Sequence, residues 1–102
     1  MNAMDYSGYP DCRPEFIKAF NAALNTGMKN YVTVHAPLIN LNKAKIIDLG
    51  RNCVHFEDTH SCYDPVYNGV SYLHCGECDS CIIRKNGFIK ASVPDPTNYM
   101  SL

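Results

Sequence analysis

Four cysteines at short, regular spacing constrain this chain more than any other feature of its sequence. They are separated by twelve, two and two residues and stand at Cys62, Cys75, Cys78 and Cys81. In a C-x-x-C turn both sulfurs can face one point, and Gly76 permits the tight backbone that such a turn requires. Four thiolates complete a tetrahedral shell and leave no position for water, which favours a structural role over a catalytic one. The spacing therefore predicts a metal site, with zinc as the preferred ion.

Two alternatives to zinc stay open on spacing alone. C-x-x-C-x-x-C also occurs in ferredoxin-like iron–sulfur sequences, but those continue with a nearby fourth cysteine and a proline, which do not follow here. The four residues can also be free thiols. Adjacent residues seldom both reach one ion, so we expect His74, beside Cys75, to face solvent or support the ligands from outside, and we expect the same of His60.

Two further cysteines lie outside the cluster. Cys53 falls on the apolar side of a predicted helix and is expected to behave as a small hydrophobic residue. Cys12 stands between Asp11 and Arg13 in a polar loop, a setting that can activate a thiol. Because the sequence places no histidine beside it, we favour a structural Cys12.

Length and charge narrow the class of protein. A chain of 102 residues, 46% apolar and 19% charged, fits one small domain whose stability a metal ion would raise considerably. Nine basic and ten acidic residues without a run of either sign argue against direct nucleic-acid binding or a membrane-surface protein. The sequence shows neither a secretory signal nor an apolar stretch of about 18 residues. The expected location is the cytoplasm, where clustered thiols stay reduced and often bind metals.

The first half of the chain predicts two helices and a strand. Pro14, Glu15 and a one-sided apolar pattern predict a helix over 14–26, and the β-branched and aromatic run 31–35 predicts a short strand. A second helix, capped by Asn40 or Asn42, is expected to end near Asn52. The residues expected on its buried side are Ile46, Ile47, Gly50, Cys53 and Val54.

The second half predicts a long loop over 55–77 and a third helix from Asp79 to about Lys90. A loop of that length needs a structural reason, and the cysteines at its two ends supply one. We expect Ile82, Ile83 and Phe88 to face inward from the third helix. The segment after Ser92, with Pro94 and Pro96, is expected to be extended.

Polar groups also concentrate in the loop near the N-terminus. Its candidate ligand-binding residues are Asp5, Ser7, Tyr9, Asp11 and Arg13. Spaced by Gly8 and Pro10, they can converge on a planar, hydrogen-bonding ligand, with a tyrosine for stacking. On spacing alone, a helix cap and a salt bridge formed by Asp11 and Arg13 is the stronger interpretation.

Several blocks of this sequence resemble one known family. They are MDYSGYPDCRPEF at 4–16, HAPL at 35–38 with Lys43-Ala44, Ser61-Cys62-Tyr63, and the run from Cys75 through Cys81 to Arg84. In this order and over nearly the whole chain, they resemble the C-terminal part of the 7-cyano-7-deazaguanine synthase family.

The resemblance implies an ATP-dependent ligase of queuosine biosynthesis, a tRNA modification pathway. The family converts 7-carboxy-7-deazaguanine and ammonia to the 7-cyano product through an adenylated carboxylate. It implies an α/β fold, the C-terminal portion of a Rossmann-like pyrophosphatase-loop fold, with zinc held by the residues that match Cys62, Cys75, Cys78 and Cys81. The expected division is a partial Rossmann-like segment at 1–54, a zinc-binding segment at 55–93 and a tail at 94–102.

One departure from the family pattern bears on activity. The ATP-binding loop of the family, Ser-Gly-Gly-x-Asp-Ser, does not occur in these 102 residues, and the segment between Cys62 and Cys75 is longer than expected. Phosphate binding needs such a loop or an equivalent set of backbone N–H groups. Three hypotheses follow: part of the ligase, a zinc-stabilised binding module without catalysis, or a chain that complements a separate ATP-binding chain. The latter two predict self-association or a partner.

Overall fold

The structure, a computed structural model, describes residues 9–100, which form two compact units. The first unit ends at Asn42 and the second begins at Lys43, and each is considered by itself. The helices and strands are α1 (Pro14–Gly27), α2 (Lys43–Gly50), β1 (Val66–Tyr67), β2 (Tyr72–Leu73) and α3 (Asp79–Ala91), with 3-10 turns at Pro10–Cys12 and Phe56–Asp58. Within the described residues, no helix combines the length and apolarity that a bilayer crossing demands. The three-part division predicted from the sequence remains a prediction.

Helix α1 follows the bounds expected from its sequence. Pro14 occupies the first turn, where its missing N–H costs nothing, and Glu15 lies near the positive end of the helix dipole. The helix ends at Gly27, after which the N–H of Met28 donates to the carbonyl of Leu24 at 2.9 Å. Although Phe16 and Phe20 stack with ring centroids 5.7 Å apart, both remain exposed. The predicted helix is confirmed, but its apolar side is not buried within the described part of this unit.

The prediction of a strand over 31–35 is wrong. The backbone of this segment forms hydrogen bonds with side chains of α1 and not with another strand. The N–H of Val34 donates to Asn21 Oδ1 at 2.7 Å, and Asn21 Nδ2 donates back to the Val34 carbonyl at 3.0 Å. Asn25 Oδ1 likewise accepts the N–H of Val32 at 3.2 Å. The carboxamide of Asn21 thus makes the two hydrogen bonds that a neighbouring strand would otherwise make.

Helices α2 and α3 pack together and form the apolar part of the second unit. Ile47 of α2 and Phe88 of α3 are both buried, and the ring of Phe56 meets Phe88 edge to face at 5.4 Å. Helix α2 ends at Gly50, two residues before the predicted end near Asn52. Cys53 and Val54 therefore follow the helix and are exposed, so their predicted burial is wrong.

Helix α3 is confirmed over Asp79–Ala91, but its buried face differs from the predicted one. Phe88 is buried as expected, whereas Ile82 is 46% exposed and Ile83 is half-buried. The buried positions are Cys81, Arg84, Gly87 and Phe88. Burial of Cys81 and packing against α2 fix the orientation of α3. In this orientation Ile82 faces outward.

A two-stranded hairpin lies between the first and second cysteines of the cluster. Strands β1 and β2 are antiparallel, pairing Val66 with Leu73 and Tyr67 with Tyr72, inside the region predicted as a loop. Their turn is held by Asn68 Oδ1, which accepts the N–H groups of Val70 and Ser71 at 2.9 Å each.

The segment after α3 is extended, as expected, and it is attached to the cysteine region. The N–H of His74 donates to the Asn98 carbonyl at 3.0 Å, and the N–H of Met100 donates to the His74 carbonyl at 2.8 Å. These bonds form a parallel bridge between His74 and Tyr99. The end of the described chain therefore lies against the residues that precede Cys75.

Substitution of Gly87 tests the close approach of α2 and α3. A Cβ at this position would lie 2.5 Å from Lys43 Cγ and 3.1 Å from Ile47 Cδ1. We expect Gly87→Ala to lower the free energy of unfolding by about 1 kcal/mol, because overpacking outweighs the gain in helix propensity. The measurement is chemical denaturation, with Gly50→Ala as the control, since a Cβ there meets Phe56 at an ordinary 3.4 Å. A Gly87→Ala protein as stable as the Gly50→Ala protein would contradict the packing.

Substitution of Asn21 tests whether its side chain holds the 31–35 segment. Asn21→Ala removes both hydrogen bonds to Val34, so local opening should become easier by about 1–3 kcal/mol. Hydrogen exchange at the Val34 amide measures this change. Thr26→Ala is the control, because the Thr26 hydroxyl bonds only to Ala22 within α1. Unchanged exchange at Val34 in the Asn21 variant would show that other contacts hold the segment.

Candidate metal centre

The four clustered cysteines bring their sulfur atoms to one point. Sγ atoms of Cys62, Cys75, Cys78 and Cys81 all lie within 4.8 Å of one another, and Cys62 and Cys78 are 4.0 Å apart. Four Zn–S bonds of about 2.3 Å in a tetrahedron would place the sulfurs about 3.8 Å apart. All six cysteines of the chain are described, and no disulfide joins any two of them. The cluster therefore has the donor set and the dimensions to hold a single metal ion.

Solvent has little access to this cluster. Cys62, Cys75 and Cys81 are buried, and Cys81 is 0% exposed. Cys78 is half-buried, and Tyr99 packs against the group from the C-terminal segment. An ion bound here would be shielded on most sides, as in a closed structural site.

Backbone N–H groups point at the sulfurs, among them those of Cys62 and Cys75. Cys62 Sγ accepts the N–H of Asp64 at 3.3 Å and that of Cys75 at 3.2 Å. Cys75 Sγ accepts the N–H groups of Glu77 at 3.4 Å and Cys78 at 3.3 Å. These donors stabilise negative charge on sulfur, which metal binding by a thiolate requires.

The turn into α3 places the other two sulfurs. Gly76 has φ of +81°, a backbone conformation that is strained for other residues, and it allows the chain to fold back after Cys75. Cys78 is the N-cap residue of α3 and Cys81 lies in its first turn. The partial positive charge at a helix N-terminus favours thiolates at both positions.

Burial and hydrogen bonding together move the pKa values of Cys81 and Cys78 in opposite directions. Burial raises the pKa of Cys81 to about 12, and the neighbouring sulfurs of Cys78 and Cys62 add to this effect. Burial also acts to raise the pKa of Cys78, but hydrogen bonds from the backbone of Tyr63 and Cys81 and from neighbouring thiols outweigh it and lower the value to about 6. Since a metal binds thiolates, loading the cluster near neutral pH must release protons.

The two histidines near the cluster support it from outside. Within the described residues the groups that converge are the four sulfurs, without a histidine nitrogen. His74 is buried, and its Nε2 accepts the N–H of Ser61 at 3.2 Å. Burial and the positive charge of Arg84 lower the pKa of His74, which suits this acceptor role. His60 Nε2 lies 2.6 Å from the carbonyl oxygen of Cys62 and so donates to a ligand residue.

Two basic residues after Cys81, Arg84 and Lys85, have roles in this region that their sequence context did not predict. Arg84 is only 5% exposed and bonds to residues before Cys62 and to Thr97. Lys85 Nζ donates to the Gly76 carbonyl at 3.0 Å and lies 4.4 Å from the centroid of the Tyr99 ring. The position of Arg84 could have indicated this role, because a residue three positions after Cys81 lies on the same face of the helix.

The candidate residues of the N-terminal loop are described only in part. Asp5 and Ser7 lie outside the described residues, while Tyr9, Asp11 and Arg13 are exposed. Arg13, and not Asp11, is the N-cap residue of α1, so the predicted cap formed by Asp11 is not found among residues 9–100. Cys12 is half-buried, with its Sγ 4.0 Å from Asp11 Oδ1. An open depression of about 590 Å³ is lined by Pro10, Arg13, Pro14, Glu15 and Phe16.

Comparison with known proteins identifies the family. Residues 1–92 match the family model described as queuosine biosynthesis protein QueC. Proteins named 7-cyano-7-deazaguanine synthase are similar to this chain: 54% identical in Myxococcus xanthus, 51% in Solidesulfovibrio magneticus and 50% in Desulfatibacillum aliphaticivorans.

The extent of these matches is as informative as their identity. They cover 97%, 97% and 98% of this chain, respectively, but 44%, 44% and 45% of the relatives. The chain thus spans less than half the length of the curated relatives it matches. With a family match over residues 1–92 and about half of all positions identical, this chain belongs to the QueC family of queuosine biosynthesis proteins.

Proposed function

We propose that this chain is the C-terminal part of an ATP-dependent carbon–nitrogen ligase that makes 7-cyano-7-deazaguanine from 7-carboxy-7-deazaguanine and ammonia. The observation that carries the proposal is identity of about half of all positions with synthases of that name, over nearly the whole chain. The convergence of Cys62, Cys75, Cys78 and Cys81 supports it. The product is a precursor in queuosine biosynthesis, a tRNA modification pathway. The proposed location of the enzyme is the cytoplasm.

The proposed chemistry explains the need for ATP. A carboxylate is a poor electrophile, so its oxygen first attacks the α-phosphorus of ATP and releases pyrophosphate. Ammonia then adds to the carbonyl carbon, AMP leaves, and a proton is lost to give the amide. The amide oxygen then attacks the α-phosphorus of a second ATP and releases pyrophosphate, after which AMP and the two nitrogen-bound protons leave to give the nitrile. Converting a poor leaving group into AMP removes much of the barrier to each step.

In this proposal ATP is bound outside these 102 residues. Ser-Gly-Gly-x-Asp-Ser does not occur in the chain, so a further portion of the enzyme must supply the phosphate-binding N–H groups. The proposed complete fold is the Rossmann-like pyrophosphatase-loop type, to which residues 1–54 contribute α/β structure, residues 55–93 the metal segment and residues 94–102 a tail. Of the described elements, α1 and α2 lie in the first of these segments, and the small sheet and α3 lie in the second.

The proposed metal is zinc. Sulfurs within 4.8 Å of one another fit a single ion, whereas a four-iron cluster would bind each sulfur to a different iron and hold them farther apart. Four thiolates leave no coordination site for substrate, so the ion orders the segment and takes no part in the reaction.

The N-terminal loop is the proposed substrate-binding segment, through Asp5, Ser7, Tyr9, Asp11 and Arg13. The exposed carboxylate of Asp11 can accept hydrogen bonds from the amino and ring N–H groups of a deazaguanine. Arg13 lines the open depression, and a guanidinium suits a carboxylate or phosphate group. Tyr9 offers an exposed ring for stacking.

A second candidate function is a zinc-stabilised module that binds or complements another chain without catalysis of its own. The share of the relatives covered, 44 to 47%, favours this alternative for the isolated chain. Exposed, stacked rings of Phe16 and Phe20 on α1 are compatible with an ATP-binding partner chain or a homo-oligomer.

Metal analysis tests the zinc proposal. We expect one zinc per chain without iron or acid-labile sulfide, and loss of the α2–α3 structure on chelation, because such sites contribute on the order of 10 kcal/mol. Cys81→Ser should abolish stoichiometric zinc binding. Cys53→Ser is the control, because Cys53 is exposed and outside the cluster. Iron with sulfide, or a metal-free protein with intact α2 and α3, would contradict the proposal.

An assay of the joined enzyme tests the activity. The chain alone should form no nitrile, whereas fusion to the ATP-binding portion of a relative should restore ATP-dependent formation of the 7-cyano product. In that fusion, Arg13→Ala should raise the KM for the carboxylate substrate about 10-fold or more, since a charge-assisted hydrogen bond is lost.

Lys18→Ala is the matched control for Arg13→Ala, because Lys18 is an exposed basic residue on α1 that does not line the depression. Its KM should stay within about twofold of the unsubstituted fusion. An inactive fusion would favour the non-catalytic module. An active fusion in which Arg13→Ala leaves KM and turnover unchanged would remove Arg13 from the substrate site.

A further inference from the structure

The metal ligands come from two separate segments of the chain. We call residues 56–62 the Cys62 arm and residues 75–81 the triple-cysteine arm. Cys75, Cys78 and Cys81 are held together by one turn and the start of α3. Twelve residues, which include the hairpin, separate Cys62 from Cys75. The position of Cys62 therefore depends on contacts that join the two arms.

Arg84 makes more of these joining contacts than any other described side chain. It follows the triple-cysteine arm on α3, and its Nη1 donates to Ser61 Oγ at 2.9 Å. Its Nη2 donates to the Phe56 carbonyl at 2.9 Å and to Thr59 Oγ1 at 3.0 Å. One guanidinium thus contacts the Cys62 arm at three points, and one of them, Ser61, is directly beside Cys62.

The surroundings of Arg84 are unusual for a buried charge. The side chain is 5% exposed, yet its hydrogen-bond acceptors are hydroxyl and carbonyl oxygens, and no described carboxylate lies within ion-pair distance. Burying a charge without a direct ion pair is costly, and the one described carboxylate with which Arg84 interacts electrostatically, that of Asp95, lies beyond ion-pair distance. Four thiolates and a divalent ion would carry a net charge of about −2, which makes this part of the unit favourable for a cation.

The geometry of the guanidinium explains why arginine suits this position better than lysine. Besides the contacts to the Cys62 arm, Nε donates to Thr97 Oγ1 at 2.7 Å, and the group lies 5.5 Å from the centroid of the Phe88 ring. A planar fork with five donors can satisfy acceptors in several fixed directions. A lysine ammonium keeps the charge but cannot span these acceptors at once.

We propose that Arg84 is a positioning residue for the metal centre: it holds the Cys62 arm against the triple-cysteine arm so that Cys62 becomes the fourth ligand. The inference rests on the proposed metal site and goes beyond it by assigning the assembly of that site to one side chain. Arg84 does not itself touch the metal. Without it, the triple-cysteine arm keeps its local turn and Cys62 is released.

The experiment uses the chain loaded with cobalt(II), whose visible absorption differs between four thiolates and three thiolates with water. Reaction with N-ethylmaleimide, followed residue by residue by mass spectrometry, reports which cysteine is released. In Arg84→Met we expect Cys62 to react about 10-fold faster or more, because bonds from a charged donor are lost and the arm opens locally. The spectrum should change to that of three thiolates, and Arg84→Lys should lie between this variant and the original chain.

Two controls separate positioning from charge and from general stability. Lys85→Met removes the same charge from the next residue, whose contacts are to Gly76 and Tyr99 and not to the Cys62 arm. Ser61→Ala and Thr97→Val each remove one hydroxyl partner of Arg84, but only Ser61 belongs to the Cys62 arm. We expect faster labelling of Cys62 in Ser61→Ala and unchanged labelling in Thr97→Val and Lys85→Met. The Ser61 variant keeps the test decisive if Arg84→Met does not fold.

The outcomes distinguish this inference from the metal site beneath it. An unsubstituted chain without a four-thiolate cobalt spectrum would overturn both. An unsubstituted chain with that spectrum, and Arg84 and Ser61 variants in which Cys62 stays protected or all four cysteines react together, would overturn the role of Arg84 alone. Selective release of Cys62 in these variants, with partial protection in Arg84→Lys, would establish it.

Discussion

Convergence of four sulfurs on one point is the constraint on which the second unit depends. Thiolates within 4.8 Å of one another repel, so the cluster is stable only when protons or a cation neutralise it. The N–H groups aimed at Cys62 and Cys75 and the N-terminus of α3 all favour negative charge at this point. A peptide segment with this arrangement is suited to a metal ion before one is bound.

The apolar core of this unit is small, so the cysteine cluster is important for its stability. Outside the cysteines, the buried apolar side chains of the described residues are Ile47 and Phe88. A core of that size contributes little stability by itself. The interior is instead completed by polar groups, and every described buried side-chain nitrogen or oxygen has a hydrogen-bond partner. His74 and Arg84 are therefore part of the core chemistry and not exceptions to it.

The first unit is held together by a different kind of interaction. Its described residues include no fully buried side chain, and its order comes from polar contacts between α1 and the segment that follows. Asn21 supplies a donor and an acceptor to Val34 in the manner of a neighbouring strand. Exposed aromatic rings on α1 leave apolar surface that the proposed remainder of the enzyme would cover.

The sequence by itself determined the features that depend on neighbouring residues. Pro14, Glu15 and Gly27 define α1, Asp79 opens α3, and the spacing of four cysteines identified the candidate metal centre, because helix ends and ligand turns are local. Only the tertiary structure decided which side of α3 faces inward. Apolar periodicity favoured Ile82, but packing on α2 and the cluster placed Arg84 there instead. Tertiary structure also explains why residues 31–35 form no strand. A strand needs the backbone of another strand opposite it, and the groups opposite this segment are side chains of α1.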